Sequence, residues 1–279
     1  MNKKIVRLPL LITVAALFAV LFAACGGKSG SQQSGGLTIK PGVLMIGMNL
    51  GYPPMEYVLG GETPAGFSVE MGKVIAERLG LKPEFINTAW DGIFAGLDAN
   101  KWDVIISSAT VTPARQEAHN FSKPYIANTL AMVVRRDSNV TAKSPSEVAG
   151  LNVGFQGATT ADFFMEGLAK DQGFRYNVSR YPNMPTAFIE LALGRVDVIV
   201  TDLVVALGAA AESKIPFDIV WVSEDDDPEV FAVVLKKGND ALTQAIDTVL
   251  EEMFDDGTML EISNEIFGDD FVTAARHTW

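Results

Sequence analysis

Apolar residues along this chain alternate between short unbroken runs and longer stretches in which they recur every three or four positions. Residues 43–47 (VLMIG) are too few for a helix and read as a strand. Residues 67–79 place Val69, Met71, Val74, Ile75 and Leu79 at helical spacing, with Gly80 as the C-terminal stop. A strand at 82–86, a helix at 90–97 and a strand at 102–107, with its buried centre at Val104 to Ile106, continue the alternation. Strand, helix, strand, helix, strand predicts a mostly parallel sheet with helices on its faces. After a long apolar strand at 129–134 the pattern restarts. Strands at 151–156, 175–181 and 197–200 alternate with helices at 161–169 and 184–193, and a further helix follows Asp202. This reads as a second α/β unit, from Arg135 to about Trp221, inserted in the chain. A strand at 230–235, a helix at 239–254 and a shorter helix ending at Phe267 complete the body. The acidic run at 224–227 lacks the alternating ligand spacing of a calcium loop and reads as a solvated turn.

Open α/β sheets hold ligands in the crevice outside the carboxyl ends of their strands, and the polar punctuation of this chain falls at such ends. Asn49 and Tyr52 follow the first strand, and Pro53-Pro54 keep Tyr52 on a loop. Trp90 follows the strand at 82–86. The stretch 105–117 (IISSATVTPARQE) leaves a strand through Ser107, Ser108, Thr110 and Thr112 into a helix start at Thr112-Pro113, where threonine caps free amides and proline occupies the first turn. Arg115 is out of place there, because a cation in the first turn opposes the helix dipole and an acid would have completed a capping box. An anion held jointly by the guanidinium, the hydroxyls and the helix-start amides accounts for all of these residues. The alternative is a solvated surface arginine. Residues 155–160 (FQGATT) repeat the arrangement, with Thr159 either a simple cap or an anion ligand. Asp202 reads equally as a helix cap or as the partner of a ligand ammonium group.

Charge and composition narrow the classes. Residues 1–24 hold Lys3, Lys4 and Arg7, then an apolar run and no acid, the form of an export signal. Removing it takes away three basic residues and no acid, so the net charge falls from −12 to −15. Nucleic acid as a partner is thereby disfavoured. The Gly/Ser/Gln segment 25–36 is expected to be a flexible tether, reaching about 18 Å. With two histidines, His119 on the helix after Arg115 and His277 in the tail, no catalytic triad or metal cluster can be assembled from His and Cys, and no cofactor is called for. A site built from carboxylates remains open.

Leu21-Phe22-Ala23-Ala24-Cys25-Gly26 resembles the lipobox of bacterial lipoproteins, although Phe22 stands where leucine is commoner. The resemblance implies that Cys25, the only cysteine, is acylated and becomes the new N-terminus, anchoring the chain on the outer side of a bacterial membrane. From Val43 to Phe267 the chain resembles the extracellular solute-binding proteins of family 3, the receptors of amino-acid ABC importers. The similarity lies in the order of GxNxxYPPMEY, GFSVEMGKVIAERLG, FINTAWDGIFAGL, WDVIISSATVTPARQEAHNFSKPY, VGFQGATT, LGRVDVIVTD and DDGTMLEISNEIFG.

What the resemblance implies is an α/β, two-lobed periplasmic-binding-protein-like fold (type II) with the ligand cleft between lobes. Lobe 1 would comprise 37–130 and 227–279, lobe 2 131–226. Arg115 would hold an α-carboxylate with Ser108, Thr110 and Thr159, and Asp202 the α-ammonium. Tyr52 and Trp90 would flank the ligand side chain. The partners implied are a free amino acid and an ABC permease and ATPase, and the receptor is expected to be a monomer. Asn49 stands where relatives that bind basic amino acids or glutamine often carry aspartate, which favours a neutral polar ligand unless Glu56 points inward. The alanines and Phe155 near the cleft fit an apolar side chain almost as well. A cyclohexadienyl-dehydratase-like enzyme and a ligand sensor are the rival readings on the same fold.

Overall fold

The computed structural model describes residues 36–212, 216–224 and 229–278. The export signal, Cys25, all but the last residue of the tether and most of the acidic run at 224–227 lie outside them.

The chain begins with β1 (Val43–Met48), β2 (Gly51–Tyr52), β3 (Glu56–Leu59), β4 (Thr63–Ala65), α1 (Phe67–Arg78) and β5 (Lys82–Asn87). It continues through α2 (Ile93–Asp98), β6 (Val104–Ile105), α3 (Pro113–Ala118), β7 (His119–Phe121), β8 (Ile126–Asn128) and β9 (Leu130–Arg135). Then follow β10 (Asn152–Gln156), α4 (Thr160–Gln172), β11 (Asn177–Tyr181), α5 (Met184–Ala192), β12 (Val198–Asp202) and α6 (Leu203–Glu212). The last elements are β13 (Phe217–Val222), β14 (Glu229–Phe231), β15 (Val234–Lys236), α7 (Asp240–Asp255), α8 (Thr258–Phe267) and α9 (Thr273–Arg276).

Two five-stranded sheets result, ordered β5-β1-β6-β15-β7 and β11-β10-β12-β9-β13. Each has the same plan. Three strands run parallel through helical crossovers, and the remaining two add antiparallel, β15 and β7 in the first sheet and β9 and β13 in the second. The chain passes from one sheet to the other after β8 and returns before β14, and these two short strands pair antiparallel with each other. In the first sheet β1 buries Leu44, Ile46 and Met48 against Met71 and Ile75 of the amphipathic helix α1. The second sheet buries Val153, Phe155, Val198 and Val200 against Met165 of α4. Gly66 precedes α1 with φ of 108°, where a Cβ would lie 2.5 Å from the Met55 carbonyl oxygen, so only glycine fits.

Several elements differ from the sequence reading. Tyr52 is in a strand, not a loop, because Gly51–Tyr52 folds back on Glu56 and Tyr57. Pro53 and Pro54, joined by a cis peptide bond, form the turn, where no ladder N–H is needed. The helix expected at 90–97 opens with a 3-10 turn at Trp90–Gly92, closed by the Gly92 N–H on the Ala89 carbonyl at 3.2 Å, before α2 begins. The strand expected at 230–235 splits into β14 and β15. Its backbone partners change there from β8 to Ala109 and Ser122, and then to β6 and β7. His119 opens β7 instead of continuing α3.

Beside β1, Trp102 sits in a slot that two glycines leave open. A Cβ on Gly96 would lie 2.1 Å from its Cη2, and one on Gly47 2.7 Å from its Cε2. Gly96→Ala is therefore expected to lower stability by about 1–3 kcal/mol, read as a lower urea midpoint at unchanged slope. An unchanged midpoint would mean that the indole moves aside freely.

Candidate functional site

The carboxyl ends of β1 and β6 in the first sheet face those of β10 and β12 in the second, and a small, tightly walled cavity lies where they meet. It is lined by all eight residues singled out from the sequence: Asn49, Tyr52, Trp90, Ser108, Thr110, Arg115, Thr159 and Asp202. Glu56, Ser107, Gln156 and Thr160 complete the wall.

Arg115 projects from the first turn of α3, which Thr112 caps by accepting the Arg115 N–H at 3.3 Å. Its Nη1 donates to the Thr110 carbonyl at 2.9 Å, and its guanidinium carbon lies 5.4 Å from the centroid of the Trp90 ring and 5.2 Å from that of Phe94. Aromatic faces stabilise a cation that has lost part of its water. Burial lowers the Arg115 pKa, and the Glu229 and Asp202 carboxylates act against that shift. The group stays a cation at any physiological pH.

Asp202 ends β12 and is 6% exposed. Its Oδ1 accepts from Asn128 Nδ2 at 2.6 Å and its Oδ2 from the Tyr52 hydroxyl, so the carboxyl meets side chains of other elements and not the amides of α6. Burial raises its pKa to about 6, while the Tyr52 and Asn128 hydrogen bonds and the Arg115 charge pull the other way. Tyr52 is pushed well above 10 by its own burial and by the adjacent Asp202. It therefore remains a donor.

Glu56 is the residue on which the sequence reading was conditional, and it points inward with 1% exposure. Ser107 Oγ donates to its Oε1 at 3.2 Å and Ser108 Oγ to its Oε2 at 3.0 Å. Burial raises its pKa to about 8 against the hydrogen bonds of Ser108 and Ser107. At pH 7 it is mainly the neutral acid. Ser108 reaches it from a left-handed backbone with φ of 49°, a conformation in which a non-glycine residue is strained.

Asn49 donates to the Thr88 carbonyl at 3.0 Å and accepts from Gln156 Nε2 at 2.9 Å. Trp90 Nε1 donates to the Ala158 carbonyl at 3.0 Å. Thr159 does cap α4, accepting the Asp162 N–H at 3.4 Å, and its hydroxyl donates to the Gln156 carbonyl at 2.7 Å. The Ala158 amide is taken by Asp162 Oδ2 at 3.0 Å. Phe155 does not approach the cavity. It is fully buried in the core of the second sheet, because strand alternation turns it away while its neighbour Gln156 faces the cavity. Sequence reasoning missed Gln156, although its place at a strand's carboxyl end was a usable signal. Asn128, the second partner of Asp202, carried none.

Hydrogen bonds thus cross the cavity between the two halves of the molecule, among them Tyr52 to Asp202 and Thr201, Gln156 to Asn49, Trp90 to Ala158 and Thr160 to Glu229. The wall offers a fixed cation at one point and two buried acids at others, the complement of a small molecule that carries both an anionic and a cationic group.

Comparisons with known proteins agree with this architecture. The family model of bacterial extracellular solute-binding proteins, family 3, matches residues 44–269. The L-cystine-binding protein TcyJ of Escherichia coli (strain K12) is 31% identical over 231 residues, covering 82% of this chain and 84% of that protein. Among solved structures, an ancestral arginine-binding protein bound to arginine superposes with a TM-score of 0.75 at 34% identity, over 81% of this chain and 98% of that one. The ancestral amino acid-binding protein AncCDT-1, described as a precursor of cyclohexadienyl dehydratase, does so with 0.71 at 29% identity, over 81% and 95%. Such proteins are two-lobed and act outside the cytoplasm, and among the described residues of this chain no helix is long and apolar enough to cross a membrane. The chain belongs to the bacterial extracellular solute-binding proteins of family 3.

Proposed function

We propose that this chain is the receptor of an ABC importer and captures a free α-amino acid by closing its two lobes. The observation that carries the reading is the opposed pair of charges in one cavity, Arg115 from α3 and Asp202 from the end of β12. Arg115 takes the α-carboxylate with help from Ser108, Thr110 and Thr159. Asp202 takes the α-ammonium, and Tyr52 and Trp90 flank the side chain. The names of the relatives, cystine-binding and arginine-binding, support an amino acid as the ligand.

Lobe 1 is formed by residues 37–130 and 227–279 and lobe 2 by residues 131–226. The division is supported by which strands enter which sheet, and by the β8–β14 pair, which serves as the hinge. Cys25 is the lipid anchor and 25–36 the tether that lets a monomeric receptor reach its permease and ATPase. Binding, with no chemical turnover, is the proposed activity.

The ligand side chain is neutral and polar. With Glu56 held mainly as the uncharged acid, the cavity wall carries one cation, Arg115, and one anion, Asp202, which match the two ends of an amino acid. Glu56, Asn49 and Gln156 supply the hydrogen bonds to the side chain.

Arg115→Ala is expected to weaken binding by about 2–5 kcal/mol, measured by calorimetry with the fold intact by circular dichroism. Asp202→Asn should weaken an α-amino acid more than the matching α-hydroxy acid, and equal losses would remove Asp202 from the ammonium role. Turnover of prephenate or arogenate by the wild-type chain would transfer the reading to the enzyme.

The pH dependence separates ligand classes. A cationic side chain against Glu56 would favour its carboxylate, so binding would release a proton and affinity would fall by up to about tenfold per unit as pH drops below 8. A neutral side chain leaves Glu56 protonated. The expected result is an affinity constant within about twofold from pH 8 to 6.5. It then declines below about pH 6, where Asp202 takes up a proton that a bound ammonium group would oppose. A steep fall already at pH 7.5 would point to a cationic ligand.

A further inference from the structure

Two glycines sit where the lobes touch, and neither is there for its backbone. Gly51 lies in the hairpin of lobe 1 and Gly208 in the middle of α6 in lobe 2, and neither is among the residues with positive φ. In α6 an alanine would favour the helix by about 1 kcal/mol. Each faces a rigid atom of the opposite lobe. A Cβ on Gly51 would lie 2.7 Å from the Cβ of Asn183, and one on Gly208 would lie 2.6 Å from Cδ and 3.1 Å from Cγ of Pro54. Real Cβ atoms essentially never come under 3.0 Å.

Neither neighbour can swing away. Asn183 is the N-cap of α5, its Oδ1 accepting from the Thr186 N–H at 3.0 Å and from the Thr186 hydroxyl at 2.8 Å, and a Cβ is in any case set by the backbone. The Pro54 atoms belong to a closed ring. The contact at Trp102 differs in kind, because there both partners belong to lobe 1.

Both contacts bracket Tyr52. The segment from Gly51 to Pro54 is the surface on which lobe 2 comes to rest, and Tyr52 in its middle meets Asp202 and Thr201. A methyl group at either glycine would hold the lobes apart beside that hydrogen bond. We infer that Gly51 and Gly208 are positioning residues for closure: their missing side chains let lobe 2 seat on the Gly51–Pro54 hairpin closely enough for Tyr52 to reach Asp202 and Asn49 to reach Gln156. The inference rests on the receptor reading for its ligand arm only.

The test compares Gly51→Ala, Gly208→Ala and, as a control, Gly167→Ala, a helical position with nothing within 4 Å of an added Cβ. Affinity is measured for whichever of the twenty common L-amino acids or L-cystine gives the wild type its largest thermal shift. A second arm needs no ligand. Ala89→Cys and Pro182→Cys, exposed residues of opposite lobes lining one crevice, are joined by a short bismaleimide in a Cys25→Ser background.

Both cleft glycine variants are expected to lose about ten- to a hundredfold in affinity and to crosslink about fivefold more slowly. Their unliganded melting temperatures should be unchanged or, for Gly208→Ala, raised. The control should match wild type in affinity and crosslinking rate, with its melting temperature raised by the same helix preference. Asn183→Gly removes the opposing Cβ at little cost to the cap and should restore Gly51→Ala in both arms. Wild-type crosslinking rates in the two glycine variants, or no rescue by Asn183→Gly, would overturn the inference. Failure of the wild type to bind any member of the panel would overturn the receptor reading instead, leaving the crosslinking arm to decide this one.

Discussion

A carboxyl group shut away from water must be neutralised, hydrogen-bonded or matched with a cation, and that constraint at Asp202 organises the cleft. Asp202 is nearly fully buried at the end of a second-lobe strand. Its two oxygens are held by Tyr52, from the first-lobe hairpin, and by Asn128, at the end of the strand that leads into the crossover. Because the donors come from other parts of the chain, this hydrogen bonding is complete only when the lobes are together. Even so it does not cancel the desolvation, which leaves the pKa near 6. An ammonium group arriving beside it would supply the missing compensation. In the proposed reading the same carboxyl would couple lobe closure to the chemistry of the ligand.

The twinned sheets explain why such a site exists. Each sheet has three parallel strands continued by an antiparallel strand, β15 or β9, and an edge strand that pairs antiparallel with it, and each aims the carboxyl ends of its parallel strands at the other. Polar residues at those ends, Asn49 and Ser107 in one lobe and Gln156 and Asp202 in the other, converge without any long loop to carry them. Many of these groups are already committed. Ser107 and Ser108 hold Glu56, Thr159 caps α4, and the Ala158 amide is held by Asp162. The guanidinium of Arg115 is lodged against Trp90 and Phe94 and donates to the Thr110 carbonyl, while the Glu229 and Asp202 carboxylates act on its charge.

Much of this could be read from residues alone. Arg115 was conspicuous because a cation in a first helical turn is unfavourable there, and α3 does begin at Pro113 behind the Thr112 cap. Asp202 was ambiguous between cap and ligand partner, and its oxygens turn out to face Tyr52 and Asn128. Tyr52 was misplaced on a loop because the prolines after it looked like an end to regular structure, when they are the turn of a hairpin. Phe155 and Gln156 were confused as to side, since one residue of strand register exchanges core for cleft. Glu56 carried a condition that only burial could resolve.

By itself the sequence determined the alternation of strands and helices, the caps at Thr112 and Thr159, and the rows of polar residues at strand ends. Those features depend on periodicity and on hydrogen bonds within a few residues, so they are written locally. Tertiary structure alone decided that Tyr52 meets an acid 150 positions away, that Asn49 meets Gln156 across 107, and that Gly51 and Gly208 face rigid atoms of the opposite lobe. It also buried Glu56, which pushes its pKa up to about 8. Burial and close opposition are properties of surfaces brought together from distant parts of the chain, and no local pattern encodes the distance at which they stop.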